Sequence, residues 1–131
     1  MSMFTVNLSA INPKEEERRT PPIEAVVDTG AELSWLPKQA LLDIGIVPRR
    51  TMRFTTADGN SIEREVGFAI LAAEGYDTID EVVFAEEGDC SLLGVRTVEG
   101  FSVMVDNVNQ RFVALASYLA PANFIVGRVE R

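Results

Sequence analysis

The chain is cut into short strand-like runs, and that rhythm restricts the fold more than any other feature. Phe4-Thr5-Val6-Asn7-Leu8 alternates apolar and polar residues, as a half-buried strand does. Comparable runs follow at 23–27, 52–56, 62–71, 78–85, 101–105 and 111–115. In the run 62–71, Val66, Phe68 and Ile70 fall on one face, while Val82, Val83 and Phe84 make the run 78–85 strongly apolar. Turn-forming residues separate the runs: Asn12-Pro13, Ala57-Asp58-Gly59-Asn60, Glu74-Gly75-Tyr76-Asp77, 86–89 and 106–110. The dense charge of 14–20, closed by Pro21-Pro22, reads as a solvated loop or hairpin connection. Two stretches fit short helices. One is 38–44, with Pro37 suited to a first helical position and Gly45 to the residue after the end; the other is 95–100. Many short strands with only one or two short helices predict a mainly β chain in a small closed or sandwich-like fold.

Composition narrows the chemistry. The 131 residues suit a single domain over 1–131, with a core at about 4–115 and a C-terminal tail at 116–131. No apolar run approaches the roughly 18 residues of a membrane helix. Met1-Ser2-Met3-Phe4-Thr5 lacks the basic region and apolar run of a secretory signal, so a cytoplasmic protein is expected. Cys90 is alone and forms no intrachain disulfide. The chain has no histidine, which excludes Ser-His and Cys-His nucleophile pairs and histidine zinc sites. No metal and no cofactor are expected, and acid–base work falls mostly to carboxylates. A net charge of −8 repels phosphate backbones and anionic bilayers, so neither nucleic acid nor membrane is expected as a partner.

Three features then stand in order. The apolar run Ile23-Glu24-Ala25-Val26-Val27 leads straight into Asp28-Thr29-Gly30-Ala31. The hairpin signal Ala57-Asp58-Gly59-Asn60 comes next, its glycine and asparagine tolerant of positive φ. Leu92-Leu93-Gly94, followed by a short helix, comes third. This order resembles the retropepsin-like, single-domain aspartic proteases: catalytic Asp-Thr-Gly-Ala loop, flap, and apolar-apolar-glycine segment. The resemblance runs from about Phe4 to Leu115.

The resemblance implies a small, closed, barrel-like acid-protease fold with a flap hairpin. It implies an aspartic endopeptidase in which Asp28 activates water against a peptide carbonyl. Two carboxyls are needed for that chemistry, one ionised and one holding the proton. The chain carries one Asp-Thr-Gly, so the resemblance implies a homodimer with one Asp28 from each copy, acting on a protein or peptide. Thr29 would bond the other subunit's loop, Gly30 would permit the tight turn presenting Asp28, and Ala31 would let a substrate backbone approach. Ala57, Asp58, Gly59 and Asn60 would form the flap tip. Leu92 and Leu93 would pack beneath the active loop, and Gly94 would allow close passage there.

One position departs from the family. Many retropepsins place arginine directly after that glycine, paired with an acidic residue just past the catalytic motif. Here Val95 holds the position, Arg96 comes one later, and Glu32 is the acidic residue; the sequence leaves their pairing open. Trp35 reads as a core or interface aromatic rather than a pocket wall. Phe124, Ile125 and Val126 form an apolar patch suited either to a dimer strand or to packing on their own domain. The competing reading is a non-catalytic peptide-binding or dimerisation module of the same fold. Phosphoryl transfer fits less well, because the second carboxylate of an Asp-x-Asp pattern is missing after Asp28.

Overall fold

A computed structural model describes residues 3–122. Its elements run β1 Thr5–Asn12, β2 Glu15–Arg19, β3 Ile23–Val27, β4 Ser34–Pro37, α1 Lys38–Asp43, β5 Arg50–Thr55, β6 Ser61–Ala73, β7 Tyr76–Ala85, β8 Leu92–Leu93, α2 Val95–Gly100, β9 Val103–Asp106 and β10 Arg111–Ala114. The main sheet has the order β2-β1-β3-β8-β4-β7-β6-β5, and β1 also pairs with β6. Ser9, Ala10 and Ile11 meet Ala72, Leu71 and Ile70, so the path β1-β3-β8-β4-β7-β6 returns to β1. The expected mainly β, closed, barrel-like fold with two short helices is what forms. Closure gives β1 and β6 partners on both sides and leaves only β2 and β5 as edge strands of this sheet among the described residues. β2 hangs from β1 and β5 from β6 as outward flanges.

Side-chain alternation divides the apolar residues into two sets. Val82 and Phe84 of β7 and Leu36 of β4 enter the main core with Leu8, Ala25, Val27, Leu71 and Leu93. Val83, one residue out of phase, joins Leu33 and Val66 in a smaller cluster, against which Trp35, Met52 and Phe54 pack. The strand period of two thus fills the barrel on one face and builds a second apolar layer on the other. β9 and β10 pair as a separate two-stranded sheet and bring Phe112 within 6.0–6.2 Å of the rings of Phe4, Tyr76 and Phe101.

Local differences from the sequence reading have simple causes. The charged stretch after Pro13 is a strand, β2, paired to β1 through an irregularity between Ile11 and Asn12. Every residue of β2 is exposed, so no apolar period marks it. Pro37 caps α1 instead of opening it. Gly45, at φ 84°, ends that helix: its amide bonds Leu42 O and the Ile46 amide bonds Leu41 O, a Schellman pattern. The turn expected over four residues from Glu74 needs only two. Glu74 and Gly75 both take positive φ, and Tyr76 and Asp77 already pair with Ala73 and Ala72. No helix among the described residues is long and apolar enough to cross a membrane. Phe124, Ile125 and Val126 lie outside the described residues.

Candidate active site

Val27 is the last residue of β3, and the chain turns directly after it. The Ala31 amide bonds Asp28 O at 3.0 Å, closing the turn, and the Gly30 amide donates to Asp28 Oδ1 at 2.9 Å. One carboxylate oxygen is thereby oriented by the loop itself. Gly30 does not use a left-handed backbone. Its missing side chain matters by proximity, since a Cβ there would lie 3.2 Å from Asp28 Oδ1. Asp28 is half-buried, and Thr29 is exposed with no side-chain partner among the described residues.

The segment beneath the turn holds it from the other side. β8 lies parallel to β3, pairing Leu92 with Val26 and Leu93 with Val27. The Asp28 amide bonds Leu93 O at 2.9 Å. The amides of Val95 and Arg96, opening α2, donate to Ala31 O at 2.8 Å and Glu32 O at 3.2 Å. The two leucines part company, as strand alternation requires. Leu93 is fully buried in the core under the turn, whereas Leu92 is half-buried and lines the cleft. At Gly94 the backbones approach so closely that a Cβ would sit 2.5 Å from Leu33 C and O. The question left open at Val95 has a geometric answer. Arg96 reaches Glu32 at 3.2 Å, and its guanidinium also lies 3.6 Å from Glu81. Glu81 is itself gripped by Arg50 through two bonds, at 2.9 and 2.7 Å. The Arg50 hydrogen bond holds the Glu81 carboxyl below the usual range.

The β5–β6 hairpin supplies the opposite wall. Its tip is knitted from its own residues: the Thr56 amide bonds Asn60 O at 2.8 Å and the Gly59 amide bonds Thr56 O at 2.9 Å. Asp58 accepts from the Thr56 hydroxyl and from the Asn60 amide and side chain. These donors, the Thr56 hydroxyl first, hold the Asp58 carboxyl below the usual range. Gly59 carries the positive φ of 87°. Ala57, Asp58, Gly59 and Asn60 are all exposed.

Turn and hairpin face one another across a cleft of about 800 Å³. Asp28, Gly30, Ala31 and Glu32 line one side, and Phe54, Thr55, Thr56, Ala57 and Ile62 the other. Sequence reasoning missed most of this wall. Trp35 lies in it, with its ring 5.0 Å from that of Phe54, in addition to packing on the second apolar cluster. The correction follows from alternation: Leu36 takes the inward position on β4, so Trp35 must face out. Cys90 also borders the cleft, although nothing in its local sequence marked it.

A family model described as "Aspartyl protease" matches residues 19–97, more than half of the chain. The matched stretch includes the Asp28 turn, the β5–β6 hairpin and the Leu92-Leu93-Gly94 segment. A closed barrel with an Asp-Thr-Gly-Ala turn at its cleft is the arrangement of an acid-protease fold, and the chain belongs to the retropepsin-like aspartyl protease family. No curated protein matches it.

Proposed function

We propose that this chain is one subunit of a homodimeric aspartic endopeptidase whose catalytic dyad is the Asp28 carboxyl of each of two copies. The observation that carries the reading is the content of the cleft. Among the described residues its lining holds two carboxylates, Asp28 and Glu32, and Glu32 is engaged by Arg96. A second copy, related by a two-fold axis, would supply the missing partner.

Two carboxyls about 3 Å apart cannot both ionise, so the pair shares one proton and titrates as a unit. The ionised Asp28 removes a proton from water as its oxygen attacks the peptide carbonyl carbon. The protonated Asp28 gives its proton to the carbonyl oxygen. The tetrahedral adduct then collapses: one hydroxyl returns its proton to the dyad as its oxygen re-forms the carbonyl, the C–N bond breaks, and the leaving nitrogen takes a proton from the dyad, which ends with the one proton it began with. Gly30, by donating to Asp28 Oδ1, fixes the carboxylate that performs the first step.

The β5–β6 hairpin acts as the flap, closing over an extended peptide and excluding water. Main-chain bonds to such a peptide supply affinity, and the apolar wall of Leu33, Trp35, Phe54, Ile62 and Leu92 receives side chains. The exposure of Thr29 supports a reading in which it bonds its counterpart in the second copy. Met104, Val113, Leu115, Tyr118 and Leu119 are exposed near the start of the 116–131 tail, which favours a role for that tail in the dimer interface. A cytoplasmic setting rests on the lone Cys90.

The test is digestion of a diverse peptide library by the wild type and by Asp28→Ala between about pH 4 and 7, where a carboxyl pair titrates. Cleavage by the wild type alone establishes the peptidase and yields its specificity. Silence from both proteins, at concentrations where the chain is shown to be dimeric, favours a peptide-binding or dimerisation module.

A further inference from the structure

Behind the Asp28 turn lies a line of buried polar groups that the mechanism does not use. The Gly94 amide donates to Ser34 Oγ at 2.9 Å. Ser34 Oγ lies 2.6 Å from Thr97 Oγ1, and Thr97 Oγ1 donates to Asp80 Oδ2 at 3.1 Å. Asp80 Oδ1 accepts the Glu81 amide at 2.8 Å. Ser34 and Thr97 are both fully buried.

With Asp80 ionised, the direction of every bond is determined. A hydroxyl has one hydrogen to give. Thr97 gives its hydrogen to Asp80, so it must accept from Ser34, and Ser34 in turn accepts from Gly94. The line therefore runs one way, from a backbone amide through two hydroxyls to a carboxylate. Such chains polarise one another, and each bond strengthens its neighbours. Asp80 is the anchor because an ionised carboxylate only accepts. Its surroundings are mixed: burial and Glu81 disfavour its charge, while the Glu81 amide, the Thr97 hydroxyl and Arg96 favour it.

We propose that Asp80, Thr97 and Ser34 are positioning residues that fix the Leu93-Gly94 backbone, and through the Leu93 O bond to the Asp28 amide, the height of Asp28 in the cleft. The line joins β7, α2 and β4 at the point where Gly94 passes Leu33 with no room for a side chain. Loss of the pull on the Gly94 amide frees this segment to shift, and with it the carbonyl that holds Asp28. The catalytic part of this proposal rests on the peptidase reading; the effect on Gly94 does not.

Thr97→Val keeps the shape and breaks the line, whereas Thr97→Ser keeps the hydroxyl. Asp80→Ala removes the anchor, so the Thr97 hydroxyl hydrogen has no acceptor. Two readouts apply to each variant: steady-state kinetics on a cleaved peptide, and hydrogen exchange of the Gly94 amide. Thr97→Val is expected to lower kcat by about 10²-fold, the cost of a small misplacement, with KM little changed. Its Gly94 amide is expected to exchange about 10²-fold faster through local opening. Asp80→Ala should follow it, and Thr97→Ser should restore both values. Val103→Ala, a core variant away from the line, should lower stability comparably while leaving kcat and Gly94 exchange unchanged.

Wild-type kcat and Gly94 exchange in Thr97→Val overturn the proposal. Losses in Val103→Ala as large as those in Thr97→Val overturn it too, because they would reflect stability alone. If the wild type cleaves nothing, the peptidase reading fails separately, and Gly94 exchange alone decides: unchanged protection in Thr97→Val contradicts the positioning role.

Discussion

The two walls of the cleft are built on opposite plans. The wall carrying Asp28 is tied to distant parts of the chain. Asp28, Ala31 and Glu32 are bonded to Leu93, Val95 and Arg96, and Gly94 is wedged against the Leu33 backbone. The hairpin wall is tied mainly to itself, with the tip bonds running among Thr56, Asp58, Gly59 and Asn60. Below the tip, the ring contact between Phe54 and Trp35 joins it to β4. On the proposed reading, Asp28 must keep its geometry through the reaction, whereas the hairpin must lift and return. Long-range bonds suit the first task and a locally knitted hairpin the second.

The sharpest way to break this comparison is to add one methyl group to each wall. In Gly94→Ala the new Cβ meets Leu33 backbone atoms at 2.5 Å, and neither backbone can give way cheaply. We expect a loss of about 3 kcal/mol or more, at the upper end of overpacking costs, visible as a fall in denaturant midpoint together with loss of activity. Gly59→Ala meets nothing within 4 Å and suffers only its positive φ. Its cost should be about 1–2 kcal/mol, with the fold intact. Equal destabilisation by the two substitutions would show that the walls do not differ in this way.

Phe54→Ala tests the anchor between the walls. Removing a tilted ring pair forfeits about 0.5–1.5 kcal/mol beyond the buried area. The hairpin should then cover the cleft less often, raising KM for a peptide more than it lowers kcat. A fall in kcat at constant KM would instead assign Phe54 to the Asp28 wall.

A smaller effect concerns acid stability on the floor side. Arg50 holds the folded Glu81 carboxyl below its ordinary value of 4.5. A depressed folded value means stabilisation present above the unfolded value and lost as pH falls through the folded one. Asp80 next to it is raised, chiefly by burial, so its contribution has the opposite sign and fades as pH rises through its folded value. Glu81→Gln should therefore melt below the wild type at neutral pH and converge with it on acidification. A constant gap across the titration would mean that packing, and not the ion pair, sets the difference.

The same contrast explains what the sequence could reveal. The Asp28 turn was legible because an apolar run ends abruptly in Asp-Thr-Gly, and the hairpin because Asp58-Gly59-Asn60 is turn chemistry within a few residues. Both signals are local. Ser34 and Thr97 lie 63 positions apart and meet because β8, which leads into α2, pairs with β4, so no spacing announces them. The Arg96–Glu32 contact was a question for the same reason, spanning 64 positions. β2 escaped detection because a strand exposed on both faces carries no hydrophobic period. Trp35 packs on a core cluster as expected and also lines the cleft, because an isolated large aromatic does not reveal that it belongs to the apolar layer bordering the site.

The central claim is that two Asp28 carboxyls, one from each copy, act together. It is tested most directly by mixing wild-type protein with Asp28→Asn at constant total concentration, under conditions where the chain is dimeric. Asparagine keeps the shape of the side chain and removes its charge and proton, so mixed dimers should form and be inactive. The account predicts that Asp28→Asn alone is silent and that activity in the mixtures falls as the square of the wild-type fraction. A fall in simple proportion to the wild-type fraction would contradict a shared dyad.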